Sequence, residues 1–579
     1  TVSAVLNGPA LVTKTTGGTV TWSGRNSLTG SVDVTAGTLA VVAGGSMTSG
    51  TLQVSGVNTL VSLGATQQTV GLLRLWNGAV NAGTVTAGSF LVSEGAVGAA
   101  LNGPALFTKE SSGVVTLTGV NTLSGSMDVQ AGSLALSGLG RLTTGTVSVS
   151  GASTFLTLGT TSQTLGTLRL LDGVIENGFL NAGSYAFENG SVSAVLQGSA
   201  QMTKTTAGVV TLSGANALTG SISVEAGSLA LSGAGSLTAG TVSVQGASTY
   251  LTLGTTEQTV QRLVLDSGVV ENGKLSATRF DVASGLVSAV LKGSGVLTKT
   301  GGDVVLLTGA NTLSGSIAVM GGSLALQGAG SLTIGTVTLQ SGTAVLSLGA
   351  TEQTIGRLHL ASGTVEAGKL TANAFDVETG LVSAALNGTA TLSKTTAGTV
   401  TLTGVNTLTG SLLVEAGSLR VSGFGTLTSG TVSVRGGSAV LALESTSQSI
   451  GRLHLADGLV QDGVLTAGTF RVENGTVSAV LNGSAPFTKA TAGTVFLTGA
   501  NTLSGGMDLT AGVLAVTGDG KLTSGTVALS GASTKLTLGA TDQTLGRLLL
   551  GDGVVEAGTV SAGTLHLESG LVSAVLKSA

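Results

Sequence analysis

The sequence predicts an all-β fold: a single long parallel β-helix, or β-solenoid, with about five coils in each 95-residue repeat. Three observations predict it. Landmark residues recur at a fixed step with no insertion or deletion. Short apolar–polar alternations closed by Gly fill each step. No stretch carries the 3.6-residue period and caps of a helix.

The repeat is read from three rows of residues. Lys14, Lys109, Lys204, Lys299, Lys394 and Lys489 lie 95 apart. So do Asn26, Asn121, Asn216, Asn311, Asn406 and Asn501, and Gln68, Gln163, Gln258, Gln353, Gln448 and Gln543. The repeats span 1–95, 96–190, 191–285, 286–380, 381–475 and 476–570, and 571–579 begin a seventh. All read as one continuous solenoid. Absence of insertions has a physical reason: one added residue in a strand flips its alternation and exposes the core face.

Within a repeat the pieces are four to six residues of V-x-V or L-x-L, and Gly supplies the tight corners. Pieces of about 19 residues suit one coil each. Stacked at the spacing of paired strands, about 4.8 Å, a repeat rises about 24 Å and six rise about 145 Å. Inward Val, Leu and Ile make a continuous core, and outward Thr and Ser cover it. A string of six β-sandwiches is the competing fold. It fits poorly, because the chain has 2 Trp, 2 Tyr, 11 Phe and 3 Pro and no polar linkers between repeats.

Composition narrows the function. Of the 579 residues 42% are hydrophobic and mean hydropathy is +0.51, too apolar for a disordered chain despite 94 Gly. Net charge is −4 with no basic patch, which argues against nucleic acid. No apolar run is long enough to span a bilayer as a helix. Cys is absent, so disulfides and thiolate metal sites are excluded, and the chain suits export through an oxidising compartment. It begins at Thr1 and reads as processed or as an excerpt.

The stretch around the Lys and Asn rows reads LVTKTTGGTVTWSGRNSLTGSVDVTAGTLAV at 11–41 and TLSKTTAGTVTLTGVNTLTGSLLVEAGSLRV at 391–421. It resembles the passenger-associated repeat of bacterial autotransporters and covers about a third of every repeat. The resemblance implies a right-handed parallel β-helix at or outside a Gram-negative cell, often adhesive. The family's aromatic after the Asn is Leu here: Leu28, Leu123, Leu218, Leu313, Leu408 and Leu503. The membrane β-barrel of that family, built from many ten-residue alternating strands, is not among these residues.

Comparing copies removes most candidate chemistry. His359 and His454 share a position with Arg74, Arg169, Val264 and Leu549, and His566 stands apart. Glu176, Glu271, Glu366 and Glu556 share one with Asn81 and Gln461. Asp172, Asp457 and Asp552 share one with Asn77, Ser267 and Ser362. Asp172 and Glu176 are close enough in sequence to meet near a turn. Asp33, Asp128 and Asp508 alternate with Ser223, Ala318 and Leu413, so a repeated calcium site fails. No catalytic residue, metal ligand or cofactor is expected, and the chain is expected not to be an enzyme. The Asn row is expected at corners in left-handed conformation, bonding neighbouring backbone, and the Gln row is expected to satisfy backbone groups similarly. The Lys row is expected on a solvated edge or corner, with a ligand-binding row as the alternative.

Neither end shows a polar cap, and an open β-helix end exposes unpaired N–H and C=O groups. The chain is therefore expected to be a window of a longer solenoid, or to stack end to end on identical chains. The phase of residues 571–579 favours stacking. The expected function is a structural extracellular fibre of a bacterial surface or biofilm matrix, self-associating end to end. The alternative is a surface adhesin stalk, and a carbohydrate-active enzyme is remoter. Surface or matrix polysaccharide is a further expected contact.

Overall fold

The structure, a computed structural model, describes residues 1–578. Among them strands and turns account for the regular structure and there is no α-helix. The chain forms two compact units. One comprises residues 1–280 with 285–290, the other 281–284 with 291 onward. Each is a parallel β-solenoid.

Each coil in the first unit has three faces. In the third repeat the chain passes from Val195–Gly198 on face one to Met202–Lys204 on face two and Val209–Leu212 on face three. It returns to face one at Ala217–Leu218 and face two at Ile222–Val224. Every pairing between coils is parallel, and inward residues stack on inward residues. Phe107, Met127, Val147, Leu168, Tyr185 and Met202 lie one above another on face two. The coils of a repeat therefore advance by 20, 20, 21, 17 and 17 residues. The second unit keeps the same steps along Leu297, Ile317, Val337, Leu358, Phe375 and Leu392. The expected five coils per repeat are present, three long and two short.

The core consists of these columns. Inward Leu, Val and Ile on all three faces are buried, and one position of face two carries a buried aromatic in each of the first five repeats: Phe90, Tyr185 and Phe280 in the first unit, Phe375 and Phe470 in the second. Burying each such side chain contributes about 1.5–3 kcal/mol. Tyr185 keeps its place among Phe because its hydroxyl donates to Gln197 O at 2.7 Å and accepts from Ala182 N at 3.1 Å.

Glycine is demanded where one turn presses on the next. Gly132 has φ of 66°, and a Cβ there would sit 2.4 Å from Ser111 O and Gly113 O on the coil below. Its counterpart Gly417 has φ of 67° and would meet Gly398 O at 2.3 Å and Thr396 O at 2.5 Å.

Candidate functional site

The most distinctive chemistry is inside the coils, where the Lys, Asn and Gln rows cluster in the three long coils of each repeat. In Phe107–Thr108–Lys109 the Phe and Lys point inward and the Thr outward, as strand alternation requires. Lys109, Lys204, Lys299, Lys394 and Lys489 are 0% exposed and Lys14 is 8% exposed. This corrects the expectation of a solvated row.

Each ammonium is held by backbone carbonyls of two successive turns. Lys109 Nζ donates to Ser111 O on its own turn and to Ala131 O, at 2.9 Å, on the next. Lys394 donates likewise to Thr396 O and to Ala416 O at 3.1 Å, and Lys489 to Thr491 O and to Ala511 O at 3.2 Å. The residue after each upper carbonyl is the positive-φ Gly of the turn, Gly132, Gly417 or Gly512. Lys, Ala and Gly thus form one built cluster. The glycine lets the turns close until a single ammonium spans both.

Burial pushes Lys109 down to about 8, while Glu110 and Glu94 oppose the fall. Burial also lowers Lys204, Lys299, Lys394 and Lys489, opposed by Glu188, Asp303, Glu378 and Glu473 respectively. A lysine whose pKa is lower folded than unfolded binds fewer protons in the folded state, so its contribution to stability rises with pH. For Lys109 that window runs from about 8 to its ordinary 10.5. Urea denaturation across this window should show a gain that Lys109→Met reduces. An unchanged slope in the variant would contradict the assignment.

The Asn and Gln rows replace missing backbone ladder. On face one the third coil of each repeat opens with an exposed turn, Ser232–Leu237 in the third repeat, and regular pairing lapses. Asn216 Oδ1 accepts Leu196 N at 3.0 Å from the coil below, and its Nδ2 donates to Ser236 O at 2.8 Å above. Gln258 Oε1 accepts Leu237 N at 2.9 Å, while Nε2 donates to Gly235 O at 3.0 Å and Thr256 Oγ1 at 2.9 Å. The same bonds recur in the fourth repeat through Asn311 and Gln353. The backbone role expected of both rows is present. The left-handed conformation expected of the Asn row is not: positive φ falls instead on Asn177, Asn272, Asp462 and their counterparts at a different turn.

The titratable surface residues bind their own neighbours. His359 lies 3.0 Å from Glu378 and His454 lies 2.9 Å from Glu473, each pair bridging adjacent coils, and His566 lies 2.8 Å from Glu568. The His454 hydrogen bond, aided by Arg471, holds Glu473 below the usual carboxylate range. Asp172 and Glu176 take separate partners. Asp172 accepts from Gly173 N and Asn189 Nδ2, and Glu176 accepts from Thr157 Oγ1 at 2.8 Å. Among the described residues no three His, Asp or Glu gather as a metal site, and no helix is long and apolar enough to cross a membrane. A groove of about 900 Å³ lies beside this turn in the fourth repeat, between Gly328–Thr333 and Glu352–Thr354, and Glu352 is its one carboxylate.

The model of the passenger-associated-transport-repeat matches residues 12–41, 107–136, 202–231, 297–326, 392–421 and 487–516. The chain carries this repeat six times. Each match begins two residues before the Lys and takes in its Ala–Gly or Gly–Gly turn and the Asn, so in this chain the carbonyl cage lies inside the matched segments. The Gln row lies outside it. No curated protein and no solved structure matches the chain.

Proposed function

We propose that the chain is the solenoid of an exported, passenger-like protein at the outside of a bacterial cell, with a structural rather than enzymatic role. One observation carries the reading: the six copies keep their buried Lys and Gln and their buried or half-buried Asn while their exposed titratable positions drift. Selection for a coil that stacks gives that pattern. Selection for a surface reaction would fix exposed acids instead. Proteinase treatment of intact cells producing the protein should remove it, and antibody should label those cells without permeabilisation. Labelling only after lysis would refute the surface location.

End-to-end association is the finer form of this reading. Its support is the join between repeats, where Tyr185–Phe187 pairs in register with Met202–Lys204 as within a repeat. A coil shaped like the first accepts any coil shaped like the second, on the same chain or another. Fibres with a constant axial repeat in electron micrographs would bear this out, and rods of one uniform length would refute it.

A further inference from the structure

A solenoid of similar coils has a register problem: a chain could stack one coil out of step and still bury Val on Leu. We infer that the Lys, Asn and Gln rows, buried or half-buried throughout, are register keys, which make the 95-residue repeat, and not the coil, the smallest step by which the stack can change. Each key reaches a defined partner on an adjacent coil. Lys204 needs Ala226 O, Asn216 needs Leu196 N and Ser236 O, and Gln258 needs Leu237 N and Gly235 O. A one-coil slip puts a different coil there and leaves a buried amide or ammonium without its acceptor, which is the costly outcome. A slip of a whole repeat restores every partner, because all three rows recur together. The rows thus act by position, through the backbone they hold.

Deletions test this in the full chain. Removing residues 116–210 joins Val115 to Thr211, one repeat on, and keeps every key paired. Removing 230–251 joins Leu229 to Thr252. That takes out one coil in strand register, since Ala230 stacks beneath Thr252. It also takes away Leu237 and Gly235, and so strands Gln258, while Asn216 loses Ser236 O but keeps Leu196 N. The coil deletion should melt at least about 5 °C below the repeat deletion by circular dichroism. Gln258→Leu should lower the midpoint of the undeleted chain, where Leu237 N and Gly235 O lose their partner. The same substitution should raise the midpoint of the coil-deleted chain, where that amide has become surplus. That reversal of sign is the signature of a key. Equal melting of the two deletions would overturn the inference. So would a Gln258→Leu substitution that lowers both midpoints, or a coil deletion that stays unfolded with leucine in place, since the coil lengths alone would then set the register.

Discussion

Gly417→Ala is expected to destabilise the fifth repeat by about 3–5 kcal/mol. Two costs add. At φ of 67° a Cβ is strained wherever it points. This Cβ would also lie within 2.5 Å of Gly398 O, Ala397 C and Thr396 O, all backbone of the turn below. Backbone cannot rotate away as a side chain can, so the two turns must separate, and the carbonyls that Lys394 holds separate with them. Gly423 isolates the second cost. It has φ of 61° in the same repeat with nothing within 4 Å of the added Cβ, so Gly423→Ala should cost only about 1–2 kcal/mol. Chemical denaturation of both variants gives the comparison, and equal losses would mean that strain alone, without packing, governs the turn.

Lys394→Met is the second large effect, about 2–4 kcal/mol. The substituent fills much the same volume but leaves Thr396 O and Ala416 O without a donor, at about 1–3 kcal/mol for each buried group left unpaired. Relief of the buried charge offsets part of this, which is why the total stays below the sum. Lys369 is the control. Its ion pair with Glu352 is 2.7 Å long but exposed on both sides, so Lys369→Met should cost less than about 1 kcal/mol. If Lys394→Met were as mild as Lys369→Met, the carbonyl cage would contribute no net stability.

Much of this was legible in the sequence. The fixed 95-residue step and the Val–x–Val alternation led to parallel coils, and Gly at corners marked the turns. The uneven coil lengths were not legible, because the exposed turn at Ser232–Leu237 is held by side chains far away in sequence, Asn216 and Gln258. The lysine row was misread although its parity was visible. Met202 and Lys204 share an alternation face, and Met202 is unmistakably core. Charge outweighed parity because a buried lysine normally needs an acid. Here the partner is a pair of carbonyls set by the φ of a glycine on the next coil, and no composition rule reports that geometry.

The parallel ladders have a mechanical consequence. Their hydrogen bonds run along the stacking direction, across the strands. A load applied in that direction opens the ladders of one coil at a time instead of shearing many together. Each released coil of about 20 residues extends to about 70 Å, against roughly 4.8 Å of stack given up. Each unit is therefore stiff in compression but yields in tension by paying out slack, dissipating a pull over distance before it breaks.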